Sequence, residues 1–112
     1  MVTNSSQSRE TGIHDVYPRG ISVSVSRERG ALLLITTSAS NGRRITIKGM
    51  DSHNRDVTAY FSVGEYRRNG KTVYAGVSSR LVPGNYYASG GGHGYEEFSI
   101  DSGRVAQMTW TY

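Results

Sequence analysis

The sequence predicts an all-β protein, a single antiparallel β-sandwich of about 7–9 short strands with a flexible N-terminal arm. Three observations carry that expectation. Apolar and polar residues alternate with period two in segment after segment, as in Ile21-Ser22-Val23-Ser24-Val25-Ser26. Corners bearing Gly, Asn or Pro separate these segments at short intervals, and such residues mark places where a strand ladder stops. No stretch shows the 3.6-residue period of an amphipathic helix.

A chain of 112 residues fits one domain, since domains most often hold about 100–150 residues. Cysteine is absent, so neither a disulfide framework nor a thiolate metal site supports the fold. Residues 1–18 carry little apolar surface to offset the entropy of ordering them, and the sequence assigns them to the arm. The sandwich is expected over 19–112. Met1–Glu10 holds no apolar run, and no window approaches the roughly 18 apolar residues of a membrane-spanning helix. The expectation is a soluble chain, either cytoplasmic or exported after loss of a signal.

Taken in order, Ile21–Ser26 is a half-buried strand with one apolar face and one serine face. After the polar turn Arg27–Gly30, the run Ala31-Leu32-Leu33-Leu34-Ile35-Thr36-Thr37 predicts a central strand covered on both sides, because strands buried on both faces read as near-continuous apolar runs. Ile45 and Ile47 alternate with Arg44, Thr46 and Lys48 in a strand whose outer face is charged. Val57, Ala59, Phe61 and Val63 form the inner face of the next.

Asn69-Gly70 predicts a two-residue hairpin turn, since a type I′ turn needs positive φ at both central positions. That turn pairs Tyr66 with Val73, on a face that disagrees with Val63 by one residue. A bulge at Gly64 is therefore expected, because one extra residue flips side-chain parity. A three-residue hairpin loop, Asp101-Ser102-Gly103 with Gly103 left-handed, brings Phe98 together with Ala106 and Met108. Trp110 then points inward as a large anchor.

Residues 81–105 contain Leu81-Val82-Pro83-Gly84-Asn85-Tyr86-Tyr87 and Phe98-Ser99-Ile100-Asp101-Ser102-Gly103-Arg104-Val105. This Pro-Gly-x-Tyr turn with a strand, a glycine turn and a last strand resembles the closing strands of transthyretin-like (prealbumin-like) and related immunoglobulin-like bacterial modules. The resemblance covers about a quarter of the chain and lacks the early Gly-x-Val-x-Asp-x-x-Gly segment of that group. It implies a sandwich used for adhesion, spacing or ligand contact, and it transfers no functional residue.

Catalytic readings find little support. There is no Gly-x-Ser-x-Gly elbow, and the three histidines His14, His53 and His93 lie in the arm or in separate loops. Glu96 and Glu97 are adjacent on a strand and point to opposite faces, so they do not flank a glycosidic bond. The loop Asp51-Ser52-His53-Asn54-Arg55-Asp56 gathers oxygen donors but fails the spacing of a calcium loop, and Asp and Asn favour turns in any case. No helix follows Gly90-Gly91-Gly92-His93-Gly94 to make it a phosphate cradle. No cofactor or metal site is expected, and the chain is read as not an enzyme.

Eight tyrosines exceed what one small core needs. Alternation turns Tyr60 and Tyr74 outward, together with either Tyr86 or Tyr87. The first functional expectation is a recognition or structural module that binds a protein or a glycan through the glycine loop with Tyr86, Tyr87, His93 and Tyr95, residue types that make adaptable contact surfaces. The alternative is a small basic nucleic-acid-binding barrel using Arg43, Arg44, Arg67 and Arg68 with Tyr60 and Tyr74. Its motive is the formal net charge of +4, with basic residues that are mostly arginine. The serine-faced strand Ile21–Ser26 holds no Lys or Pro to discourage pairing, so a homo-oligomer through that edge is also expected.

Overall fold

The computed structural model describes residues 7–8, 14–17, 21–90 and 93–111. Its strands are β1 (Gln7–Ser8), β2 (His14–Tyr17), β3 (Ile21–Ser24), β4 (Gly30–Thr36), β5 (Arg44–Asp51), β6 (Asp56–Ser62), β7 (Gly64–Arg68), β8 (Lys71–Leu81), β9 (Gly84–Gly90), β10 (His93–Ile100) and β11 (Arg104–Thr109). One sheet runs β1-β11-β4-β8-β7, with β1 adding only two residues, and a four-stranded sheet runs β10-β9-β5-β6. The two sheets pack as the expected sandwich. Among the described residues every pairing is antiparallel except that of β11 with β4.

Between the sheets lies a core of Leu32, Leu34, Ile45, Ile47, Phe61, Val63, Leu81, Tyr86, Ala88, Phe98, Ile100, Ala106, Met108 and Trp110. Trp110 is fully buried there, and its backbone N–H donates to Ile35 O at 2.8 Å. A second core sits on the far side of β4, where Ala31, Leu33, Ala75 and Val105 meet Ile21, Val23 and Val25. The run Ala31–Ile35 is thus covered on both sides, and β3 supplies the second cover. β3 in turn pairs with β2, His14 opposite Ser24 through Tyr17 opposite Ile21. Of the expected arm, residues 7–8 and 14–17 are strands and the remainder lies outside the described residues.

Asn69 and Gly70 take φ of 53° and 74°, and Tyr66 stands opposite Val73 as that turn requires. The bulge expected at Gly64 is not there. The chain leaves the four-stranded sheet at Ser62 and joins the other at Gly64, so Val63 faces the sandwich core while Tyr66 faces the second core. Each parity is correct within its own sheet. A register break occurs instead in β8, where Ser79 and Arg80 oppose Ala31 and Arg80 takes φ of 61°.

The last hairpin also needs correction. Gly103 is left-handed, with φ of 71°, and Phe98, Ala106 and Met108 share one core. They do so across the sandwich: β10 belongs to the four-stranded sheet and β11 to the other, so Asp101–Gly103 is an arch between layers. Gly103 N–H donates to Arg29 O at 3.2 Å, tying this arch to the turn before β4. No helix among the described residues is long and apolar enough to cross a membrane.

Candidate functional site

Alternation along the four strands of the smaller sheet sends one set of side chains to the core and the other to its outer face. The cross-strand registers arrange that outer face in rows. Tyr95, Ser89, Thr46 and Tyr60 form one row; Glu97, Tyr87, Lys48 and Thr58 the next; Ser99, Asn85, Met50 and Asp56 the third. The large apolar side chains most open to solvent among the described residues are Tyr95 at 64%, Tyr60 at 57%, Met50 at 46% and Tyr87 at 37% exposure, and all four stand on this face. Among the described residues, exposed aromatic surface is thereby concentrated on one face.

Tyr87 and Tyr95 meet edge to face, with ring centroids 5.3 Å apart and planes at 66°. At the other side of the sheet the Arg44 guanidinium lies over the Tyr60 ring, 4.8 Å from its centroid. Tyr87 and Asn85 line both of two open hollows. One also holds Glu97 and Ser99, and the other holds Lys48, Met50 and Thr58. The Ser99 hydroxyl donates to Asn85 Oδ1 at 2.9 Å. Arg44 and Lys48 are balanced on this face by Asp56 and Glu97, so it presents rings and hydrogen-bonding groups without net charge.

The structure separates the residues that the sequence grouped. Tyr86 does not reach the surface: it is buried, stacks at a tilt on Phe98 with centroids 5.8 Å apart, and donates its hydroxyl to Val82 O. Burial pushes that hydroxyl's pKa up, and the nearby Asp51 charge adds to the effect. Its cross-strand partner Gly49 explains why Tyr86, and not Tyr87, turns inward. A Cβ on Gly49 would lie 2.6 Å from Tyr86 Cα and 2.8 Å from its ring, so only glycine leaves room for the aromatic there. His93 begins β10 opposite Gly90; Gly91 and Gly92 lie outside the described residues.

The alternative basic set does not assemble. Arg44 and Tyr60 come together, but Tyr74 is half-buried on β8 against the sandwich core instead of facing outward. Its strand has a core on each face, so alternation alone did not say which side is wet. Arg67 pairs with Glu65 on β7, and Arg68 follows it in that strand, in the other sheet from Tyr60. The Arg43 side chain donates to Ala39 O at 3.3 Å.

The Asp51 loop is organised by its own carboxylate. Asp51 Oδ1 accepts from the backbone N–H groups of His53 at 2.8 Å and Arg55 at 3.0 Å, and Oδ2 accepts from Arg55 Nε at 3.0 Å. The Arg55 N–H, above all, holds this carboxyl below the usual carboxylate range. Glu96 and Glu97 stand opposite Ala88 and Tyr87, on opposite faces of β10. Sequence reasoning missed Met50, Lys48, Asn85 and Ser99 as parts of the site. For the first two a signal was present, since both continue the outward alternation from Arg44. No protein-family model, curated protein or solved structure matches the chain.

Proposed function

We propose that this protein is a non-enzymatic recognition module whose contact surface is the outer face of the four-stranded sheet, with Tyr60, Tyr87 and Tyr95 as its aromatic anchors. The observation that carries the proposal is the convergence, among the described residues, of the exposed large apolar side chains on that one face. Aromatic rings with one wet face and polar neighbours serve both protein and glycan partners. A glycan is favoured, because flat rings alternate here with Asn, Ser, Thr, Lys and Glu side chains and the charges balance. The kinship with transthyretin-like or immunoglobulin-like modules belongs to this proposal as well, and the Leu81–Val105 string supports it.

The nucleic-acid reading keeps one specific support, the stacking of Arg44 on Tyr60. Salt separates the two. Affinity carried by phosphate contacts falls steeply as salt rises, whereas ring stacking and neutral hydrogen bonds respond little. The test is binding to glycan, protein and single-stranded nucleic-acid panels at low and high salt. Salt-insensitive retention on a glycan supports the proposal, and retention only on nucleic acid, lost at high salt, replaces it.

A further inference from the structure

We infer that β6 is a self-pairing edge, through which two copies of the chain join their four-stranded sheets into one continuous sheet. β6 ends the order β10-β9-β5-β6. The backbone at its two ends fixes which groups it offers. Asp51 N–H donates to Arg55 O and Val63 N–H to Arg43 O, each at 3.0 Å, and the register between them runs from Arg44 opposite Ser62 to Met50 opposite Asp56. In an antiparallel ladder bonded and non-bonded pairs alternate. Val57, Ala59 and Phe61 therefore bond to β5, and the N–H and C=O groups of Asp56, Thr58 and Tyr60 point to the open side, whereas the Ser62 carbonyl lies beside Gly76 of β8.

A second copy fits this edge in a register centred on Ala59. With a two-fold axis at Ala59, Thr58 meets Tyr60 of the other copy and Asp56 meets Ser62, in both directions. The two Thr58–Tyr60 pairs then exchange both of their bonds, about four in total. No like charges meet. The axis stands perpendicular to the sheet, so both tyrosine-bearing faces lie on the same side.

Two other sheet edges are blunted. β10 carries Glu96-Glu97 at its middle, so self-pairing sets carboxylates against each other, and β7 carries Glu65, Arg67 and Arg68 along its five residues. β6 holds no Lys, Arg or Pro. Its inward Val57 and Ala59 are only half-buried, and a second copy completes their cover. An edge of seven residues makes a small interface, below the roughly 1,200 Å² of stable complexes, so the dimer is weak and concentration-dependent. Its use is avidity: two faces side by side hold a polymeric ligand at two points.

Because the chain has no cysteine, Ala59→Cys gives a clean probe. A non-bonded antiparallel pair places Cα atoms about 4.5 Å apart, within disulfide reach. Mild oxidation of Ala59→Cys is expected to yield a covalent dimer at least tenfold faster than oxidation of Thr72→Cys, an exposed position on β8. Adding Thr58→Pro removes an N–H that faces only the open edge, so cross-linking should fall to the Thr72→Cys level with the circular dichroism unchanged. Sedimentation of the unmodified chain should show reversible dimer at high concentration, and Thr58→Pro alone should abolish it. Cross-linking of Ala59→Cys no faster than the control, or a strict monomer up to about 1 mM, overturns the inference.

Discussion

Tyr87 and Tyr95 stand on neighbouring strands with their rings in edge contact, yet both keep solvent-open surface at 37% and 64% exposure. A pair this exposed adds little to folding. Replacing either by Ala should cost stability only about 0.5–1.5 kcal/mol, the value of an aromatic pair. Ligand binding should fall about tenfold or more, since each ~1.4 kcal/mol is one decade in affinity. Thermal denaturation beside a binding isotherm measures both; a large drop in Tm with unchanged affinity would mean the pair is structural.

Tyr86 behaves differently because it lies against Gly49. A Cβ at Gly49 would come within 2.2 Å of Asn85 O, so Gly49→Ala must push β9 from β5. We expect a loss of about 3 kcal/mol, at the upper end for overpacking. Tyr86→Phe keeps the ring and removes only the bond to Val82, and should cost about 1 kcal/mol. Urea unfolding of the two variants gives the ratio directly.

The Asp51 carboxylate makes stability fall on the acid side. Its folded pKa lies below the unfolded value of about 3.9, so its contribution is complete above that pH and is lost as pH falls through the folded value. Asp51→Asn should lower stability at neutral pH and flatten the slope below about pH 4. The measurement is the urea midpoint as a function of pH; an unchanged acid slope in the variant would assign it to other carboxylates.

Leu33 lies outside the sandwich core, yet it is fully buried beneath β3. Leu33→Ala should cost about 2–5 kcal/mol, as for a true core leucine. A cost within about 0.5 kcal/mol, typical of surface positions, would show that β3 does not cover this face in solution.

Much of this architecture was legible in the residues. The run Ala31–Ile35 announced a strand with two covered faces, Asn69-Gly70 announced its turn, and Gly103 its left-handed corner. Period two fixes which side chains share a face of a strand, but not which strands are neighbours. The crossing at Val63–Gly64 therefore resembled a bulge, and the arch after Ile100 resembled a hairpin. Tyr74 was misplaced because both faces of β8 are covered. The choice between Tyr86 and Tyr87 rested on Gly49, far away in sequence, which only the register of β5 with β9 brings alongside.

The most direct test of the tyrosine face compares the native chain with the triple variant Tyr60→Ala, Tyr87→Ala, Tyr95→Ala on a panel of immobilised neutral polysaccharides at high salt. The account predicts that the native chain is retained by at least one of them and that the folded triple variant is retained by none. Retention of the triple variant on the same polysaccharide, or retention of neither chain, would contradict it.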